Sequence, residues 1–252
     1  MAAAGIVLAG GKGSRMQSDV PKQYMELLGK PLLYYALKAF EDSDVESVVL
    51  VTAEGEEDYC RKELVERYGF TKVVAITAGG AERYASVWNG LQCLKGKVEG
   101  ACAENEEPEN VHAEEAPDIV LIHDGARPLV TAELINRLIA ETEQYGACVA
   151  GMPVKDTIQM TDERGTITLT PKRDSLWTAQ TPQAFEFSLA YDAYEQLMAE
   201  SEINVTDDAM VVGMYKEIPI QMVRGSYTNI KVTTPEDLVL AEAFLLHRNA
   251  NK

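Results

Sequence analysis

Arg15 and Lys22 follow a glycine-rich stretch, Gly10-Gly11-Lys12-Gly13-Ser14, which itself follows the apolar run Ala3-Ala4-Gly5-Ile6-Val7-Leu8. A short apolar run ending in glycines reads as a buried strand that opens into a tight loop. Glycines let the backbone pass close to a ligand and turn its N–H groups inward, which suits polyphosphate. Arg15 and Lys22 bring two cations to the mouth of that loop, and Pro21 sets the chain entering Lys22. Together these residues point to a nucleoside triphosphate site. Two other phosphate loops are excluded by spacing. A P-loop needs Lys-Ser or Lys-Thr after its last glycine, whereas Lys12 stands between glycines. A dinucleotide fingerprint begun at Gly11 and Gly13 would put its third glycine on Met16.

Other apolar runs also end in polar groups. Lys72 to Thr77 leads to Gly79-Gly80, then Arg83 and Ser86, a set suited to a base or ribose. Ile119 to His123 ends at Asp124-Gly125, followed by Ala126 and Arg127. A lone carboxylate at a strand end anchors Mg²⁺ when substrate phosphates complete the shell. Lys231 stands in the last extended stretch. Ligands of open α/β sheets bind beyond the carboxyl ends of the strands, so these groups are expected to share one crevice. His123 alternates away from Asp124 and is expected to be buried and hydrogen-bonded. Asp207 and Asp208 read as the N-cap and first turn of a helix.

The positioning elements follow from periodicity. Helices are expected at Pro31 to Phe40, Glu56 to Tyr68, Glu82 to Leu94 and Thr131 to Tyr145, the last with Thr131 as N-cap. Strands are expected at Glu46 to Thr52 and Ala147 to Pro153 in addition to the runs above. Alternation of the two predicts an α/β domain over 1–252, with a largely parallel twisted sheet and helices on both faces. From 154 to 180 polar and apolar residues alternate around Glu163-Arg164-Gly165, which reads as a protruding β-hairpin arm. Too small for a core of its own, the arm is expected to dock on another subunit. The chain is then expected to return to helix, with a short strand around Ile218 to Val223, the stretch Asn229 to Thr233, and a closing helix from Pro235.

The 252 residues carry a net charge of −17, with 46% hydrophobic residues. That sign argues against nucleic acid as a partner, because such binding relies on many Lys and Arg contacts to phosphate. No apolar run approaches the roughly 20 residues needed to span a bilayer, so no membrane association is expected. The N-terminal apolar stretch lacks a basic leader, and a cytoplasmic protein is expected. Cys60, Cys93, Cys102 and Cys148 show no metal-site spacing and read as reduced thiols. Much of the acid lies at about 98–118, including Glu104, Glu106, Glu107, Glu109, Glu114 and Glu115, which reads as a flexible solvated insertion.

The segments L-A-G-G-K-G-S-R-M, P-K-Q-Y, G-G-A-E-R-Y-A-S-V, H-D-G-A-R-P, P-V-K-D-T, R-D-S-L-W-T-A-Q-T-P-Q-A-F, T-D-D-A and N-I-K-V-T-T-P-E-D-L, taken in order, resemble the 2-C-methyl-D-erythritol 4-phosphate cytidylyltransferase family. The resemblance spans nearly the whole chain apart from the acidic insertion. It implies a Rossmann-like nucleotidyltransferase fold, a homodimer with embracing arms, and a dependence on Mg²⁺ or another divalent cation. The implied reaction joins CTP to methylerythritol phosphate and releases pyrophosphate, in the non-mevalonate route to isoprenoid precursors. By resemblance, Leu8, Ala9, Gly10, Gly11, Gly13, Arg15, Lys22, Gly80, Arg83 and Ser86 hold CTP. Arg15 and Lys22 stabilise the transition state and the departing pyrophosphate. Asp124 holds the metal and contacts the sugar phosphate together with Arg127, Thr157, Arg173, Thr181, Thr206 and Lys231. Arg173 and Lys231 orient the attacking phosphate. Ala81 and Thr228 stand where relatives often carry an acidic residue. The nearest alternative is ribitol 5-phosphate cytidylyltransferase, and R-D-S-L-W around Arg173 favours methylerythritol phosphate.

Overall fold

The computed structural model describes residues 1–11, 16, 20–96 and 116–250. Gly13, Arg15, Cys102 and nearly all of the acidic insertion therefore lie outside the described residues. The strands are β1 (Ala3–Leu8), β2 (Glu26–Leu27), β3 (Lys30–Pro31), β4 (Ser47–Thr52), β5 (Val73–Ala78), β6 (Ile119–Asp124), β7 (Ala147–Pro153), β8 (Met160–Thr161), β9 (Ile167–Leu169), β10 (Trp177–Glu186) and β11 (Gln221–Arg224). The helices are α1 (Leu32–Glu41), α2 (Glu57–Cys60, continued in wider turns over Arg61–Glu66), α3 (Arg83–Leu94), α4 (Ala132–Tyr145), α5 (Phe187–Leu197), α6 (Asp208–Tyr215) and α7 (Pro235–Ala250).

Seven strands form one sheet in the order β11-β7-β10-β6-β1-β4-β5. Its pairs are parallel except where β10 runs antiparallel to both β6 and β7. The largely parallel α/β sheet is as expected. The return to helix after Gln180 is not: that stretch is a ten-residue strand at the middle of the sheet. Its sequence, W-T-A-Q-T-P-Q-A-F-E, hides it, because Pro182 and the glutamines break the apolar pattern. The sheet accommodates them through a register shift between Ala179 and Gln183. Buried polar side chains there find partners: Gln180 Nε2 donates to Ser226 O at 2.7 Å, and Gln183 Nε2 to Asp207 Oδ2 at 3.0 Å.

Alternation along β6 sets the geometry of everything that follows. Ile119 and Leu121 pack with Leu33, Phe40, Leu134 and Leu138 of α1 and α4. Val120 and Ile122 pack with Val87, Leu91, Tyr194 and Val211 of α3, α5 and α6. Truncating one such buried leucine to alanine costs about 2–5 kcal/mol. The same parity sends His123 to the first face, where its ring lies 5.5 Å from that of Phe40. It sends Asp124 to the second face, where α3 and α6 begin.

Helix α4 starts as expected, with Thr131 Oγ1 accepting from Leu134 N–H at 3.3 Å, and ends at Gly146 with φ 77°. Strands β8 and β9 pair antiparallel, with Gly165 at φ 79° in the connecting turn. The apolar side chains of this hairpin, Ile158, Met160, Ile167 and Leu169, are exposed. Its base is pinned by Tyr227, whose hydroxyl donates to Pro153 O at 2.9 Å and whose ring lies 3.5 Å beneath Lys155 Nζ. Among the described residues, no helix is long and apolar enough to cross a membrane. Cys60, Cys93 and Cys148 form no disulfide.

Candidate functional site

Strand β1 ends beside β6, with Leu8 paired to Asp124, and Gly125 N–H donates to Leu8 O at 2.8 Å. The glycine loop therefore leaves the sheet next to the Asp124 carboxylate. Ala9 N–H continues the ladder to Val51 O at 2.7 Å, and a side chain on Gly10 would stand 3.0 Å from Thr52 O. Glycine here lets the loop pass close to the end of β4 without pushing that backbone aside. Lys22 opens a short 3-10 turn, Lys22–Tyr24, and its Cε lies 3.8 Å from where a Cβ on Gly11 would be.

Asp124 is the hub. Arg83 Nε donates to its Oδ1 at 3.1 Å, and Lys231 Nζ lies 2.7 Å from its Oδ2. The Arg83 fork simultaneously grips Asp208, Nη1 to Oδ1 and Nη2 to Oδ2, both at 2.7 Å. Asp208 Oδ1 also accepts from Tyr194 Oη at 2.6 Å. Asp208 and Tyr194 are fully buried. Burial alone would raise the Asp124 carboxyl; Arg83 and Lys231 overcome it and hold the group well below the usual carboxylate range. Burial likewise disfavours the Arg83 charge, yet Asp208 and Asp124 keep that guanidinium protonated.

Beneath the hub, Asp124 N–H donates to Thr181 Oγ1 at 3.0 Å. His123 Nε2 stands 3.2 Å from Arg127 O and Nδ1 3.0 Å from Thr181 Oγ1. A carbonyl only accepts, so Nε2 carries the ring proton and Nδ1 accepts from the Thr181 hydroxyl. Burial pushes His123 down to about 4, which keeps it neutral. Arg127 Nη1 donates to Asn229 O at 2.8 Å, and burial lowers this guanidinium against a smaller upward pull from Asp124. Asn229 in turn ties Lys231's segment to β10 by donating from Nδ2 to Thr181 O at 2.9 Å.

The structure thus gathers Arg83, Asp124, Arg127, Thr181 and Lys231, and sets Leu8, Ala9, Gly10, Gly11 and Lys22 along the neighbouring strand end. Gly80 and Ser86 form the adjoining turn: Gly80 N–H donates to Ser86 Oγ at 3.1 Å, and that hydroxyl donates to Glu82 O at 3.2 Å. Thr206 lines a cleft of about 350 Å³ together with Arg83, Tyr194 and Asp207. Thr157 and Arg173 are exposed on the arm, where Arg173 Nη1 meets Lys155 O at 3.4 Å. Gly13 and Arg15 lie outside the described residues. Two residues of the network, Asp208 and Tyr194, were given no place in the site by sequence. Asp208 follows its helix cap, Asp207, whose side chain accepts from Met210 N–H, so T-D-D-A signals a helix start and nothing of Arg83. Tyr194 is one more apolar-face residue of α5 until its hydroxyl is located.

A family model described as IspD, 2-C-methyl-D-erythritol 4-phosphate cytidylyltransferase, matches residues 3–101 and 108–247. The chain belongs to this family. The break between the two matched blocks falls within the acidic stretch. A relative named 2-C-methyl-D-erythritol 4-phosphate cytidylyltransferase, from Lachnoclostridium phytofermentans, is 46% identical over 240 residues, 95% of this chain and 94% of that protein. A second of the same name, from Alkaliphilus oremlandii, is 41% identical over 248 residues, 98% of this chain and 96% of its own. The crystal structure of 4-diphosphocytidyl-2C-methyl-D-erythritol synthase from Anaerococcus prevotii superposes with a TM-score of 0.78 at 30% identity, covering 97% of this chain and 96% of that one. As a cytidylyltransferase, the chain is a nucleotidyltransferase enzyme with that class's mostly parallel α/β fold.

Proposed function

We propose that the chain transfers a cytidylyl group from CTP to 2-C-methyl-D-erythritol 4-phosphate, in the non-mevalonate route to isoprenoid precursors. An oxygen of the sugar phosphate forms a bond to the α-phosphorus of CTP. The bond from that phosphorus to the bridging oxygen breaks, and pyrophosphate leaves with the electron pair. The products are 4-diphosphocytidyl-2-C-methyl-D-erythritol and pyrophosphate. The attacking group belongs to the substrate, so the protein's work is positioning and charge stabilisation.

The reading is carried by Asp124 standing between Arg83 and Lys231 at the carboxyl end of the sheet, beside the start of the glycine loop. Leu8 to Gly11 with Gly13, Gly80, Arg83 and Ser86 cradle the nucleotide in this proposal. Arg15 and Lys22 stabilise charge on the α-phosphoryl group and on pyrophosphate. Lys231, Arg127, Thr181 and Thr206 hold the sugar phosphate, and Thr157 and Arg173 reach it from the arm of a second subunit. The exposed apolar side chains of the arm support that homodimer. A cytoplasmic location agrees with the absence, among the described residues, of a helix able to cross a membrane.

The divalent cation is part of the proposal. Among the described residues, no three His, Cys, Asp or Glu gather as a metal site. One carboxylate with spare lone pairs fits Mg²⁺, which takes few protein ligands and completes its shell with phosphates and water. Asp124 is that carboxylate; when bound, the ion draws charge from the triphosphate. Pyrophosphate release from CTP, with methylerythritol phosphate or ribitol 5-phosphate as acceptor, tests the whole. A preference for ribitol 5-phosphate of about tenfold or more would overturn the substrate, and release with neither would overturn the activity.

A further inference from the structure

Segment 52–56, which begins at the last residue of β4, touches both halves of the nucleotide cradle. Its first residue, Thr52, limits the glycine loop, because a side chain on Gly10 would stand 3.0 Å from Thr52 O. Its last residue, Glu56, meets the turn that carries Lys22. Tyr24 Oη donates to Glu56 Oε2 at 2.6 Å and stands 3.0 Å from Cys60 Sγ. The Tyr24 ring meets Tyr59 edge-on at 4.8 Å, and Gln23 Nε2 reaches Glu56 Oε2 at 3.5 Å. Gln23 is 3% exposed. The segment is itself fixed, with Glu56 N–H donating to Ala53 O at 3.1 Å. The turn's own bonds, Tyr24 N–H to Pro21 O at 2.9 Å and Met25 N–H to Lys22 O at 3.2 Å, make Lys22 to Tyr24 one unit.

Segment 52–56 therefore ties the turn that carries Lys22 to the strand end from which the glycine loop leaves. We infer that Tyr24 and Glu56 are positioning residues for cytidylyl transfer, their hydrogen bond holding Lys22 over Gly11 at the height the triphosphate requires. The inference rests on the role proposed for Lys22. Burial, with Cys60 and Glu56 beside it, holds the Tyr24 hydroxyl protonated, so it serves as a donor at working pH.

The experiment compares steady-state pyrophosphate release by Tyr24→Phe, Glu56→Ala, Glu56→Gln and Lys22→Ala, with melting temperature recorded for each. Displacing a charge-stabilising group by a fraction of an ångström lowers kcat rather than ground-state binding. Tyr24→Phe and Glu56→Ala are expected to lower kcat by about tenfold each with KM for CTP within about twofold of wild type. Glu56→Gln keeps an acceptor for the hydroxyl and is expected to return kcat to within about threefold. The double variant Tyr24→Phe with Glu56→Ala is expected to be no worse than either single one, because both remove one bond. Unchanged kcat in folded Tyr24→Phe overturns the inference, as does a fall in Glu56→Gln equal to that in Glu56→Ala. Lys22→Ala separates the two claims. If it loses about 10² in kcat while Tyr24→Phe loses nothing, only the positioning inference fails. If Lys22→Ala turns over normally, the role of Lys22 and the inference fall together.

Discussion

Lys231 Nζ and Asp124 Oδ2 lie 2.7 Å apart, although one follows β11 and the other ends β6. The pair is partly exposed, with the lysine side chain 38% and the aspartate 11% accessible. If Lys231 holds the sugar phosphate as proposed, a cation already fixed on one side has little reorganisation left to make when phosphate arrives. Lys231→Ala and Asp124→Asn are each expected to lower kcat by about 10². Pyrophosphate release measured over a range of both substrates checks this. Loss confined to KM would show ground-state binding alone.

Asp208 serves stability before chemistry. Its carboxylate is fully buried and satisfied by Arg83 and Tyr194. Removing one partner of a buried ion pair strands the other, which costs about 3–5 kcal/mol. Asp208→Ala is therefore expected to lower Tm by roughly 10 °C, and Tyr194→Phe, which deletes one hydrogen bond, by only a few degrees. Calorimetry on the two variants decides it. Equal losses would mean that the hydroxyl, not the charge pair, carries the network.

His123 gives the fold a pH dependence of known sign. Burial moves its pKa from 6.5 to about 4. Between those values the unfolded chain binds a proton that the folded chain refuses, so stability rises with pH. Above the window the ring is neutral in both states and contributes no slope. Acidification through the window is expected to remove stability at up to about 1.4 kcal/mol per pH unit from this group. The carboxylate of Asp124, held low, adds its own loss only under more acid conditions. Denaturant titrations of wild type and His123→Gln across this range should give a shallower slope for the variant.

The arm exposes Ile167 and Leu169 at 59% and 54%. If a second copy covers them, charge at both positions opposes association without touching the core. Ile167→Asp combined with Leu169→Asp is expected to convert dimer to monomer in sedimentation velocity, with far-UV circular dichroism unchanged. A dimer that persists would place the interface elsewhere.

What could be read beforehand follows physical lines. Strands that run into glycine or end in aspartate were legible because a β-branched run and its punctuation are local signals, as at Val73–Ala78, followed by Gly79, and Ile119–Asp124. The alternation that separates His123 from Asp124 was equally local. Strand β10 was not legible, since Gln180, Thr181, Pro182 and Gln183 look like a loop until their tertiary partners are known. The same holds for Arg83. Its place after Gly79-Gly80 suggested a nucleotide contact, but nothing local signalled that its fork grips Asp208, from an element that only folding brings near. Pairings between distant elements leave no periodic trace.

Strand β10 has one further consequence. It leaves the hairpin at Trp177 and, with no intervening loop, runs to Thr181, whose hydroxyl accepts the amide of Asp124. The arm and the Asp124 carboxylate are therefore joined by one continuous strand, paired on one side with β7 before and after its register shift. If a second copy grips the hairpin as proposed, a load applied there reaches the Asp124 end of the sheet along β10, and assembly and turnover share one strut.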